Sequence, residues 1–183
     1  MSLLAIHTLG SPILREETQL VTAFDDDLRT LIADMFETMY AASGIGLAAP
    51  QVGRTERLTV VDVEGAKYAI VNPEIVFREG KDRAEEACLS MPELYGDVDR
   101  AKRVIVKALD GEGKPIEIHA TGLLARCLQH EIDHLHGKLF IDYLSYLKRR
   151  AQLVKWEELR VEYPGNLRQL KAGAVTEPDG ETM

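Results

Sequence analysis

The chain carries only two cysteines, Cys88 and Cys127. Two thiols cannot build the disulfide scaffold of a small secreted domain, so a reducing compartment is expected. Long apolar runs are missing as well. No stretch approaches the ~18 residues that a helical membrane span requires, so no membrane partner is expected. The opening Met1-Ser2-Leu3-Leu4-Ala5-Ile6-His7 has neither a basic start nor an extended apolar core, and no secretory signal is read there. Positive charge is in deficit: 22 Lys and Arg stand against 30 Asp and Glu, a formal net charge of -8. Bulk electrostatics therefore give no support for direct DNA binding. Neither an internal repeat nor an interdomain linker is visible. The expectation is a soluble cytoplasmic protein.

What remains is an ordinary globular composition. The 183 residues are 45% apolar and 28% charged, enough for one domain with one sizeable core. Residues 1–171 are read as that domain. Residues 172–183, with Gly, Pro, Glu and Asp and little to bury, are read as a mobile tail.

Residues 25–42 have the pattern of an amphipathic helix. Leu28, Leu31, Ile32, Met35 and Met39 recur at spacings of three and four, and Asp25, Asp26 and Asp27 stand at its start. Residues 57–63, 68–77, 103–109 and 116–120 are rich in β-branched side chains and read as strands. Asp110-Gly111-Glu112-Gly113 is the expected hairpin connection between the last two. Residues 123–136 and 146–161 read as two further helices, ended by Gly137 and by Pro164-Gly165. The expected class is α+β, with antiparallel strands around a central helix at 123–136 and a C-terminal helix.

That middle helix carries the strongest chemical signal, His130-Glu131-Ile132-Asp133-His134. Histidines four apart share a helix face, roughly 6 Å apart along the axis, and can bind one cation. Glu131 is turned ~100° from His130 and can stand beside a bound water without being a ligand. Leu123, Cys127, His130 and His134 fall within about 60° of one another on the helical wheel. The ligand face is therefore expected to point inward, with Arg126, Gln129, Asp133 and His136 on the opposite side. Buried histidines satisfied by hydrogen bonds are the plain alternative. Inward imidazoles and a glutamate among leucines would then need several other partners.

A catalytic cation commonly has three protein ligands. Cys127 shares the face, but it lies about 10.5 Å of axial rise from His134, too far for one ion. His136 projects away, and His7 and His119 have no motif around them. Cys88 is the attractive candidate, since thiolate is a strong ligand for zinc or iron. Glu157 or Glu158 downstream would instead make the site that of a zinc endopeptidase. A binding protein with a structural cation is a third reading.

Three segments in order resemble the peptide deformylase family: Gly44-Ile45-Gly46-Leu47-Ala48-Ala49-Pro50-Gln51, Glu86-Ala87-Cys88-Leu89-Ser90, and His130-Glu131-Ile132-Asp133-His134. The similarity runs from about Ile6 to Leu147. It implies Cys88, His130 and His134 as metal ligands and Glu131 as general acid/base. It implies that the Gln51 amide and the Leu89 backbone N–H bind the oxygen of the tetrahedral intermediate. Gly44, Ile45, Gly46 and Ala87 would lie along the substrate, with Ile45, Leu123 and Cys127 lining a methionine pocket. The implied cofactor is one divalent ion, Fe(II) first, with Zn(II), Ni(II) or Co(II) as substitutes. The implied substrates are N-formylmethionyl peptides and nascent chains, and docking on the ribosome through the C-terminal helix is a further implication. Two departures stand out. Ala87 occupies a place where the family generally has glycine, and Arg126 one where many relatives carry an apolar residue.

Overall fold

The computed structural model describes residues 2–172, so the tail expected at 172–183 lies almost wholly outside the described residues. Among these residues are three α-helices, α1 (Asp26–Ala41), α2 (Gly122–His134) and α3 (Tyr146–Leu159). Nine strands accompany them: β1 (Ile6–His7), β2 (Gly46–Ala48), β3 (Leu58–Val63), β4 (Ala66–Glu79), β5 (Asp82–Cys88), β6 (Met91–Arg100), β7 (Arg103–Leu109), β8 (Pro115–Thr121) and β9 (Leu167–Arg168). Strand pairing is antiparallel throughout the three sheets, which have the orders β2-β3-β4-β7-β8, β5-β6 and β1-β9. This is the mixed α and β architecture the patterning implied, with a C-terminal helix.

Alternation along β3 decides how the helices are arranged. Leu58 and Val60 join Leu28, Leu31, Met35 and Met39 of α1 in one apolar cluster. Val61 and Val63 join Ala125, Cys127, Leu128 and Ile132 of α2 in another. Successive strand side chains point to opposite faces, so the five-stranded sheet separates α1 from α2. Asp25 starts α1 by accepting a hydrogen bond from the Leu28 N–H at 3.0 Å. In β4 the ladder slips at Asn72-Pro73, where proline has no N–H to offer. The Asn72 amide spends its side chain on both polar groups of the Val21 backbone.

The β5-β6 hairpin was not foreseen, and it matters most for the site. It forms its own two-stranded sheet and packs, with Leu139, Phe140, Ile141 and Trp156, in a third apolar cluster. Pro92 and Gly96 interrupt β6, and β5 is largely charged, so neither segment shows strand-like periodicity. Gly96 is required by packing, since a Cβ there would meet the Leu144 side chain at 2.6 Å.

The back of α2 is also enclosed. Arg126 and Gln129 are only 5% and 6% exposed, because the hairpin and the segment after it cover them. Arg126 donates to Glu86, to the Val98 carbonyl and to Asp82, while Gln129 exchanges hydrogen bonds with the backbone of Ala101. Arg126 is thus committed to the hairpin.

Candidate metal centre

Cys88 ends β5 at the tip of the hairpin, and α2 presents His130 and His134 to it. The Cys88 Sγ lies 3.3 Å from the His134 Nε2, and the two Nε2 atoms lie 3.2 Å apart. All three ligand atoms fall within 4.8 Å of one another, and each residue is no more than 2% exposed. No other such grouping of His, Cys, Asp and Glu occurs among the described residues. His7 pairs with Ser11, His119 with Glu117 and His136 with Glu17, all away from the cluster. Glu157 and Glu158 are exposed on α3 and do not join it.

The donor set fits a cation. Ligand atoms at ~2.0–2.3 Å around a tetrahedral ion are separated by edges of about 3.3–3.6 Å, close to the spacings here. Without an ion, two imidazole nitrogens face each other and can share only one proton. The two imidazoles differ in their hold on a proton, which a cation would have to displace from His130. Burial opposes a charge on His130, but the contacts with Cys88 and Glu86 override it and push its pKa up to about 10. Burial and the neighbouring His130 charge hold His134 well below its ordinary value.

Glu86 fixes the His130 ring. His130 Nδ1 donates to the Glu86 Oε1 at 2.9 Å, which turns Nε2 toward Cys88 and His134. The Glu86 carboxylate is fully buried and also receives Arg100 Nε at 2.8 Å, Arg100 Nη2 at 2.9 Å and Arg126 Nη1 at 2.7 Å. Burial alone would raise its pKa, yet the bonds from Arg100 and His130 bring it down to about 2. Sequence reading assigned Glu86 no role. Its place two residues before Cys88 offers no usable signal, because the segment lacks strand-like periodicity and the ladder slips between the two residues.

Glu131 is fully buried, and neither carboxylate oxygen has a hydrogen-bond partner among the described residues. Burial, with Glu86 nearby adding to it, raises its pKa to about 7. Gly46 makes room for it: a Cβ on Gly46 would lie 2.6 Å from Glu131 Oε1 and 2.9 Å from Cys127 Sγ. Gln51 is held from both ends. Its Oε1 accepts from the Ala48 N–H at 2.9 Å, and its Nε2 reaches Ser90 Oγ at 3.1 Å and Cys88 Sγ at 3.5 Å. Leu89, on the turn after Cys88, packs so closely on Gly44 that a Cβ there would meet Leu89 Cδ1 at 2.7 Å.

Ile45 and Leu123 are partly buried and pack in the same cluster as Cys127. Burial drives the Cys127 pKa far up, so it behaves as a small apolar residue. Ala87 is 8% exposed beside Cys88. The structure therefore brings Cys88, His130 and His134 together, with Gln51 reaching Cys88, Gly46 against Glu131 and Leu89 next to Cys88.

Comparison with known proteins follows the same lines. The polypeptide deformylase family profile matches residues 3–150. A peptide deformylase of Alkalilimnicola ehrlichii is 53% identical over 163 residues, covering 87% of this chain and 92% of that one. The crystal structure of a peptide deformylase from Legionella pneumophila superposes with a TM-score of 0.82 at 51% identity, over 89% of this chain and all of the other. That from Ehrlichia chaffeensis gives a TM-score of 0.85 at 39% identity, over 88% and 98%.

Proposed function

This chain belongs to the polypeptide deformylase family and is a hydrolase that removes the N-formyl group from nascent polypeptides, and we propose which residues carry the reaction. Cys88, His130 and His134 hold one divalent cation, Fe(II) in the cell, with Zn(II), Ni(II) or Co(II) able to replace it. The observation that carries this reading is the convergence of three buried ligand atoms from two separate elements within 4.8 Å. The cation supplies Lewis acidity and makes water nucleophilic near neutral pH. Glu131 takes the proton from the attacking water and delivers it to the amine nitrogen as the C–N bond breaks and formate leaves. Burial opposes its charge, which suits a group that must both accept and release a proton. Gln51 Nε2 and the Leu89 N–H donate to the oxygen on which negative charge develops.

Substrate docking follows from β2. It is an edge strand, paired on one side only, with β3. A formylated peptide adds to its free edge along Gly44, Ile45 and Gly46 and past Ala87. The first side chain, methionine, enters the apolar space bounded by Ile45, Leu123 and Cys127. Among the described residues no helix is long and apolar enough to cross a membrane. We place the protein in the cytoplasm, as one catalytic domain, where α3 docks on the ribosome. The exposed Lys148, Arg149 and Arg150, beside exposed Tyr146 and Leu147, support that contact.

Anaerobic protein loaded with iron should release formate from formyl-Met-Ala-Ser. Cys88→Ser should lose both the bound metal and the activity. Full metal content in that variant would remove Cys88 from the ligand set, and absence of formate release by the loaded wild type would reject the catalytic assignment.

A further inference from the structure

Behind the ligand face of α2, a chain of polar contacts leads away from His130 and returns to the same helix. His130 Nδ1 donates to Glu86, and Glu86 accepts a two-pronged grip from Arg100. The third arm of that guanidinium, Nη1, donates to Asp133 Oδ2 at 2.6 Å. Asp133 is three residues after His130 on α2. The same Oδ2 receives the Tyr143 hydroxyl at 2.7 Å, and the Arg100 guanidinium lies 4.7 Å from the centre of the Tyr143 ring. Tyr143 belongs to the turn Phe140–Tyr143, whose Phe140 ring stacks against His130 with centroids 6.3 Å apart. One turn thus reaches His130 by two routes, through its ring face and through its Nδ1.

We propose that Asp133 and Tyr143 are positioning residues for the deformylase reaction, which fix Arg100 and, through Glu86, the rotation of the His130 ring. The proposal rests on the reading that His130 is a ligand. Arg100 is only 5% exposed and has two carboxylates to choose from, so its orientation depends on both. Loss of the Asp133 charge leaves Nη1 without its anion and frees Arg100 to tilt, which carries Glu86 and the Nδ1–H bond with it. Tyr143 holds Asp133 in place from the surface. The two variable positions inside the His-Glu-x-x-His run are therefore not equivalent. Ile132 fills the core, while Asp133 closes a loop back to the first histidine.

The test compares zinc-loaded wild type, Asp133→Asn and Tyr143→Phe. Three quantities are read: the rate of zinc release to excess chelator, kcat and KM on formyl-Met-Ala-Ser, and solvent exchange of the His130 Nδ1–H seen by NMR. Partners of metal-bound histidine typically alter metal affinity ~10–100-fold. One step further out, Asp133→Asn should release zinc about 10-fold faster. Its kcat should fall while KM holds, and its Nδ1–H should exchange faster. Tyr143→Phe should move all three in the same direction by a smaller factor. A role in packing alone would lower Tm and leave release rate and Nδ1–H protection unchanged. Wild-type release and protection in both variants would overturn the proposal. Tyr143 is 46% exposed, so its variant carries the test even if Asp133→Asn folds poorly. A wild type that takes up no zinc, or a Cys88→Ser variant that binds it equally tightly, would instead remove the metal-site reading itself.

Discussion

Gly46→Ala adds one methyl group and tests the site at its tightest point. The new carbon would lie 2.6 Å from Glu131 Oε1, 2.9 Å from Glu131 Cδ and 2.9 Å from Cys127 Sγ. Ordinary non-bonded contacts begin several tenths of an ångström further out, so something must yield. The β2 backbone is laddered to β3 through Gly46↔Val61, and Cys127 is fully buried on α2. The movable group is the Glu131 carboxylate, on whose direction the proposed proton transfer depends. Overpacking of this kind costs ~1–3 kcal/mol. For a chain of this size that lowers Tm by about 2–12 °C. Displacing a catalytic group by ~1 Å costs about 10²-fold in rate. Differential scanning calorimetry and formate release on metal-loaded protein measure the two effects separately. None of the three atoms nearest the added carbon belongs to Cys88, His130 or His134, so metal content should be unchanged. A Gly46→Ala enzyme with full metal and kcat within threefold of wild type would refute the claim that Glu131 is confined by Gly46.

Other expectations follow from single contacts. Glu131→Gln should keep the metal and lose most turnover, and a variant with full kcat would disprove its role in proton transfer. Glu86→Gln leaves two buried arginines facing a neutral amide, which should cost about 3–5 kcal/mol of stability, and urea unfolding at neutral pH tests this. Asp142 accepts from the Leu139 N–H and from Arg15, and although burial works the other way, these bonds hold its pKa below the ordinary carboxylate range. A depressed native pKa gives stability that is present above the unfolded value and lost as pH falls through the native one. Asp142→Asn should therefore lower Tm at pH 7, and its Tm should converge with that of wild type in strong acid. A constant gap across that range would mean that Asp142 contributes no proton-linked stability.

The sequence disclosed those parts of the fold that obey a simple period. Leu28, Leu31, Met35 and Met39 announce α1, and the structure begins it one residue inside the expected start because Asp25 serves as cap. Residues 103–109 alternate between buried and less buried positions, and β7 has those bounds. The β5-β6 hairpin stayed hidden because its burial is asymmetric and ionic. Glu86, Arg100 and Arg126 lie inside only because they satisfy one another, and a charge pattern read along the chain cannot show partners 14 and 40 residues apart. The His130–His134 face was legible from helical geometry. Cys88 was an attractive candidate, but its approach to that face is a tertiary fact. Glu86 went unread for the same reason: its relation to His130 crosses 44 residues.

The β5-β6 hairpin is a separate ribbon, and a two-stranded ribbon alone is marginally stable. Its tip carries Cys88, while His130 and His134 sit 42 and 46 residues away on α2. An ion held by all three, as proposed, would work as a rivet between two parts that the backbone does not hydrogen-bond into one sheet. Stripping the ion should therefore loosen residues 82–100 before the five-stranded sheet, and hydrogen exchange should quicken there first.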